Sequence, residues 1–263
     1  MISLAAVLQR ERIIIVAGLA GLVAAAWFYL WAGAGMGMSA LDMTTISLFP
    51  HLQAEVAGSM RVGYPVIILM WWIMMVAMMT PSSAPLVLLY GVVLRRHTKN
   101  GKDVFILTLV LLSGYLLSWL AFSVVAAAFQ QALQPTGLIS EMMLWSRSRT
   151  LSASVLALAG LYQLSPLKHA CLSKCRSPVR FLTEYWQPGR WGSFTLGLRH
   201  GAYCVGCCWM LMALLFVGGV MNLVWIAVLT SIVLIEKLSP ARAKIGQLTG
   251  GLLLCWAATT LFV

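Results

Sequence analysis

Seven apolar runs occupy most of this 263-residue chain, and they constrain its fold more than any other feature. They lie at about Ile13–Ala34, Tyr64–Leu94, Val104–Gln130, Thr150–Leu164, His200–Val217, Asn222–Glu236 and Ile245–Val263. A helix of roughly 20 apolar residues matches the hydrocarbon thickness of a bilayer. Inside lipid such a segment must satisfy its own backbone polar groups, which a helix does. The expected fold is all-α, a polytopic helical bundle of about seven transmembrane helices forming one membrane domain over residues 1–263. Only 10% of the residues are charged, against about 25% in soluble domains. The connections are too short for a separate soluble catalytic domain, so the expected role is binding or transfer rather than catalysis.

The formal net charge of +11 raises the possibility of a nucleic-acid partner, but the placement of the basic residues argues for a bilayer instead. Threading the runs alternately collects 15 of the 18 Lys and Arg on one side, leaving only Arg61, Arg147 and Arg149 on the other. The positive-inside rule makes the rich side cytoplasmic, with the amino terminus inside and the carboxy terminus outside. Basic residues before the first run and small ones after it resemble a signal peptide. The run is longer than a usual signal core, and we read it as a retained span.

The second run is unusual. Met70, Met74 and Met78 form one stripe at spacing four, Met75 and Met79 form another, and Thr80-Pro81-Ser82-Ser83-Ala84-Pro85 follows. The two prolines should interrupt the hydrogen-bond ladder, and such interruptions in membranes face protein or a wet cavity. Thioethers suit soft metal ions. The alternative is a kinked packing helix with methionine as adaptable filler. The preceding outer segment, with Met36, Met38, Met43, His51 and Glu55, reads either as metal capture or as an interfacial loop.

Elsewhere Ser113, Gly114 and Ser118, and Gly246 with Gly250, suit close helix packing. The connection 131–149 has Leu138, Met142 and Trp145 at the spacing of a short surface helix. Ser165-Pro166 and Ser177-Pro178 each read as an N-cap followed by proline at the first helical position. They predict two short helices at the membrane surface, the first carrying His169, Cys171 and Cys175 and the second stopped by Gln187-Pro188-Gly189. Glu236 and Lys237 read as a pair reaching into the inner interface.

The strongest chemical signal is His200, Cys204, Cys207 and Cys208. At positions 0, 4, 7 and 8 of a helix they share one narrow stripe. A single buried cysteine is commonly inert, but three below a histidine point to metal or thiol chemistry. His200 could instead cap the span at the interface. Lone Cys255 reads as packing. No cysteine stands in an outer connection, so no disulfide framework is expected. Thiolates and thioethers without a carboxylate cluster select a soft ion, Cu(I) ahead of Zn(II). The expected metal ligands are Cys171, Cys175, His200, Cys204, Cys207 and Cys208, with Met74, Met75, Met78 and Met79 as an outer thioether tract.

The blocks Met70–Pro85, Leu164–Lys168 with Cys171 and Cys175, and Leu198–Trp209 with Gly218–Asn222 resemble the bacterial predicted metal-binding integral membrane proteins, a family generally described as copper chaperones. The resemblance covers about residues 60–245. It implies a bacterial inner-membrane helical bundle that handles metal, with ligands mapping onto Cys171, Cys175, Cys204, Cys207 and Cys208. The expected function is Cu(I) transfer across the membrane, or delivery to an apo-metalloprotein or membrane-complex partner. A sulfur-carrying thiol-exchange protein and a non-catalytic subunit of a membrane complex are the alternatives.

Overall fold

A computed structural model describes residues 4–35, 44, 63–97, 101–140, 144–239 and 242–262. The Met36, Met38, Met43, His51 and Glu55 segment lies outside the described residues, as does Met142. The described chain is helical: α1 Leu4–Trp31, α2 Tyr64–His97, α3 Gly101–Leu133, α4 Arg149–Leu164, α5 Pro166–Arg176, α6 Pro178–Tyr185, α7 Gly189–Ala213, α8 Leu215–Gly218, α9 Leu223–Leu238 and α10 Arg242–Phe262. Among the described residues the only strand-like feature is an isolated bridge between Ile139 and Ser146. That bridge and a 3₁₀ turn at Gln134–Thr136 stand where a short surface helix was expected. Leu138 and Trp145 are thereby held by backbone pairing rather than by a helical face.

Among the described residues, five helices are long and apolar enough to cross a membrane: α1, α2, α3, α7 continuing into α8, and α10. The α4–α5 pair, bent by 63° at Ser165, makes a sixth if counted as one span. With 16 residues each, α4 and α9 are about 24 Å long at the helical rise, short of the roughly 30 Å of a hydrocarbon core. Large exposed apolar side chains line the outer faces of several helices, including Phe28, Val125, Phe129 and Leu161. That distribution suits lipid, where a soluble protein would carry polar groups.

Local signals set several boundaries. The Ser148 hydroxyl accepts from Leu151 N, the Ser165 hydroxyl from Lys168 N, and the Asn222 side chain from Val224 N and Trp225 N, capping α4, α5 and α9. Ser177 precedes Pro178 at the start of α6 without a side-chain cap bond. Helix α7 begins eleven residues before His200, so most of the expected connection after Gln187-Pro188 is helix instead. Its first turns are polar to the eye but glycine-rich, and glycine is what they need. A Cβ on Gly197 would stand 1.9 Å from Leu111 O, and one on Gly114 would stand 2.3 Å from Phe194 O. α3 and α7 therefore approach backbone to backbone, fastened further by Ser118 Oγ donating to Leu198 O at 2.9 Å. Gly160 of α4 and Gly250 of α10 make an equivalent close approach, a small-residue seam of the kind membrane helices use.

The prolines of α2 do not end it; Pro81 and Pro85 lie inside a continuous 34-residue helix. Hydroxyls take up carbonyls along that stretch. Ser82 Oγ donates to Met79 O and Ser83 Oγ to Thr80 O, both at 2.8 Å, and Tyr115 OH of α3 donates to Met79 O at 2.9 Å. The carbonyls that the two prolines leave without an N–H partner are those of Ala77 and Pro81, so these bonds brace neighbouring carbonyls of the same stretch.

Candidate metal and thiol site

The site is built where α2, α3, α5, α7 and α9 meet. α7 supplies the cysteine stripe, and the helical spacing delivers it as read: Cys204, Cys207 and Cys208 are all buried in the main apolar core. α5 lies across α7 and brings Cys175, also buried, and Cys171, half-buried. Gly206 allows that crossing, since a Cβ there would stand 3.1 Å from Cys171 Sγ. The Cys175 thiol hydrogen-bonds to Cys207. Tyr162 of α4 donates to Gly206 O and so ties the same turn of α7 from a third side.

From α2 comes the thioether tract. Met74, Met75, Met78 and Met79 are each 0% exposed, so both methionine stripes face protein rather than lipid. Met79 reaches the thiols directly, with its Sδ 3.9 Å from Cys208 Sγ. α7 packs chiefly on α3 and α5, and this sulfur–sulfur contact is made by side chains rather than by backbone approach.

The sequence reading missed two residues at the centre. Lys237 Nζ of α9 lies 2.9 Å from Cys204 Sγ and 2.9 Å from Ser82 Oγ of α2. Cys204 is the thiol in direct contact with this ammonium, and Cys207, Cys175 and Cys208 lie within its electrostatic reach. Tyr115 OH lies 3.2 Å from Cys204 Sγ while donating to Met79 O. The expected Glu236–Lys237 interface pair is thus corrected: the residues are 3% and 7% exposed and bond in different directions. Glu236 accepts from Lys168 Nζ at 2.6 Å and from Gln163 Nε2 at 2.8 Å. Consecutive helical residues point about 100° apart and do not face one another. That offset sends Glu236 to α4 and α5 and Lys237 to the thiols. Arg176 of α5 donates to Lys237 O at 3.1 Å and to Ser239 O, closing the C-terminal end of α9.

His200 sits three turns inside α7 and is 3% exposed, so it caps nothing. Its ring stacks on Tyr115 with centroids 5.7 Å apart and meets Phe181 of α6 edge-on at 5.3 Å. Its Nδ1 is buried without a hydrogen-bond partner. α6 covers this end of the site through buried Phe181 and Leu182, with Tyr185 hydrogen-bonded to Tyr203 at 3.2 Å. Lys174 anchors α6 through Glu184 at 2.6 Å and holds its carboxyl below the usual carboxylate range. His169 is exposed on α5, and Cys255 is exposed on α10.

No three His, Cys, Asp or Glu side chains among the described residues are gathered in a ready metal-holding geometry. The hydrogen bonds explain this. The Cys207 and Cys208 thiols turn back to donate to Cys204 O at 3.1 Å and 2.9 Å, while Cys204 itself is taken by Lys237 and Tyr115. These are short-range side-chain bonds, and rotation about χ1 releases the sulfurs. The donors that Met79, Cys204, Cys207 and Cys208 bring together are all sulfur, which suits soft metal ions.

A family model described as a copper chaperone, PpoB2, matches residues 68–260. No curated protein and no solved structure matches the chain.

Proposed function

The chain belongs to the copper chaperone family, and from that premise we propose that it is a multi-pass protein of the bacterial inner membrane that binds Cu(I) and hands it on. In this reading the shorter α4 and α9 complete a seven-span bundle, with the basic connections on the cytoplasmic side. Copper enters along Met74, Met75, Met78 and Met79, which are neutral and bind it weakly. It settles on two thiolates drawn from Cys204, Cys207 and Cys208, which bind it strongly and release protons as they do so. Cys175 and Cys171 offer the next sulfurs toward the cytoplasmic surface and an apo-metalloprotein partner. The observation that carries this reading is the 3.9 Å contact between Met79 Sδ and Cys208 Sγ, which joins the thioether tract to the thiol cluster.

Lys237 fits the same chemistry. Two thiolates around one Cu(I) carry a net charge of −1, which the membrane interior penalises unless it is balanced. The ammonium beside Cys204 supplies that balance. The same contact also favours a second reading, a sulfur carrier, because an adjacent cation activates a cysteine as nucleophile. A Cu(I) competition titration on reduced protein tests the first reading. Cys204→Ser with Cys207→Ser should abolish tight binding while Cys255→Ser leaves it intact; equal affinity in both would refute it.

A further inference from the structure

We propose a second soft-cation site, one helical turn beyond the thiol cluster toward the start of α2, formed by Met75 of α2 and Met212 of α7. It rests on the copper reading and extends it. α2 and α7 run antiparallel through the core, so a step of −4 on one helix matches a step of +4 on the other. Three observations fix their register. Lys237 bridges Ser82 and Cys204 at 2.9 Å to each. Met79 Sδ lies 3.9 Å from Cys208 Sγ. Trp71 packs against Phe216 of α8, which continues the α7 span past Leu214, with ring centroids 5.3 Å apart. From the Met79–Cys208 rung, eight residues along each chain reach the Trp71–Phe216 rung. The intermediate rung, four residues along each, is Met75 with Met212.

Both methionines are 0% exposed and belong to the same buried core as the thiols. Met212 also extends the cysteine stripe, since 204, 208 and 212 are one turn apart. The rung is bounded on one side by the Met79 and Cys208 sulfurs. On the other side stands Trp71, whose indole N–H is fixed on Gln130 Oε1 at 2.7 Å. Two thioethers beside an aromatic wall suit a monovalent soft cation such as Cu(I) or Ag(I), through sulfur donation and cation–π attraction. Neutral ligands leave the ion's charge unbalanced, so this rung holds it only in passing. The adjacent thiols, with anionic donors, are its sink.

The test is a stepwise Cu(I) titration of reduced, purified full-length protein against a competing chelator. Wild type should take a tight equivalent and then a weaker one. Met212→Leu, close to volume-conserving and mild for packing, should weaken the second step at least tenfold and leave the first unchanged, which also reports that the variant is folded. Cys204→Ser with Cys207→Ser should remove the first and spare the second. A second step unaltered in Met212→Leu overturns the inference. A wild type with only the tight step overturns it too while leaving the copper reading standing, and a wild type that takes no Cu(I) overturns both.

Discussion

Replacing Lys168 by methionine tests how α5 is held against the site. Lys168 and Glu236 form a 2.6 Å ion pair with side chains 1% and 4% exposed, and Gln163 Nε2 also donates to the carboxylate at 2.8 Å. Lys168→Met leaves that carboxylate buried with an amide in place of a cation. Removing one member of a buried pair costs about 3–5 kcal/mol, because the remaining charge is uncompensated. Gln163 stays in place, so the expected loss lies near the lower end, about 3 kcal/mol. At roughly 2–4 °C per kcal/mol for a chain of this size, the melting temperature in detergent should fall by roughly 6–12 °C. Glu236→Leu added to Lys168→Met removes the stranded charge and should recover most of that loss. The same single variant should expose Cys175 to alkylation, since α5 carries it to Cys207. A melting shift below about 1 °C, or a double variant as unstable as the sum of the singles, would refute the buried-pair argument.

Other consequences follow from the same structure. Lys237→Met should weaken Cu(I) binding at least tenfold, about 1.4 kcal/mol, while Lys237→Arg preserves most of it; affinities from chelator competition decide this. Gly197→Ala should disrupt the α3–α7 seam, because its Cβ would meet Leu111 O at 1.9 Å, and detergent melting should show a loss well beyond that of Gly251→Ala, which meets nothing within 4 Å. The depressed Glu184 carboxyl makes the α6 anchor pH-dependent. The anchor is fully present above the ordinary carboxylate value and lost as pH falls through the lowered one. Hydrogen exchange of α6 should therefore rise only in acid, and Glu184→Gln should show that raised exchange at neutral pH. A reporter fused after Arg190 should read cytoplasmic; an external signal would invert the proposed path.

Much of this architecture was legible in the chain. Apolar runs located the long helices, and Ser-Pro pairs placed the starts of α5 and α6 because proline fits a first helical turn. The cysteine spacing gave the buried stripe because it matches the helical period. What escaped was chemistry delivered by tertiary packing. Tyr115 lay in a span whose Ser113, Gly114 and Ser118 signalled close packing but not the partner, and the α3–α7 seam brings its hydroxyl to Cys204. Lys237 was read with its chain neighbour Glu236, although adjacent helical residues diverge. That divergence was the available signal: two consecutive charges on an apolar helix need separate partners. The early start of α7 was hidden by Arg190 and Arg199, whose polarity masked a glycine-paved packing face.

The central claim is that reduced sulfur in the core of this protein holds copper. Its most direct test is the metal and sulfane-sulfur content of protein purified under reducing conditions from cells supplied with copper. Wild type should carry copper at one or more equivalents per chain, and Cys204→Ser with Cys207→Ser should lose the tightly held fraction. Sulfane sulfur on the cysteines with no copper, or zinc bound in its place, would contradict it.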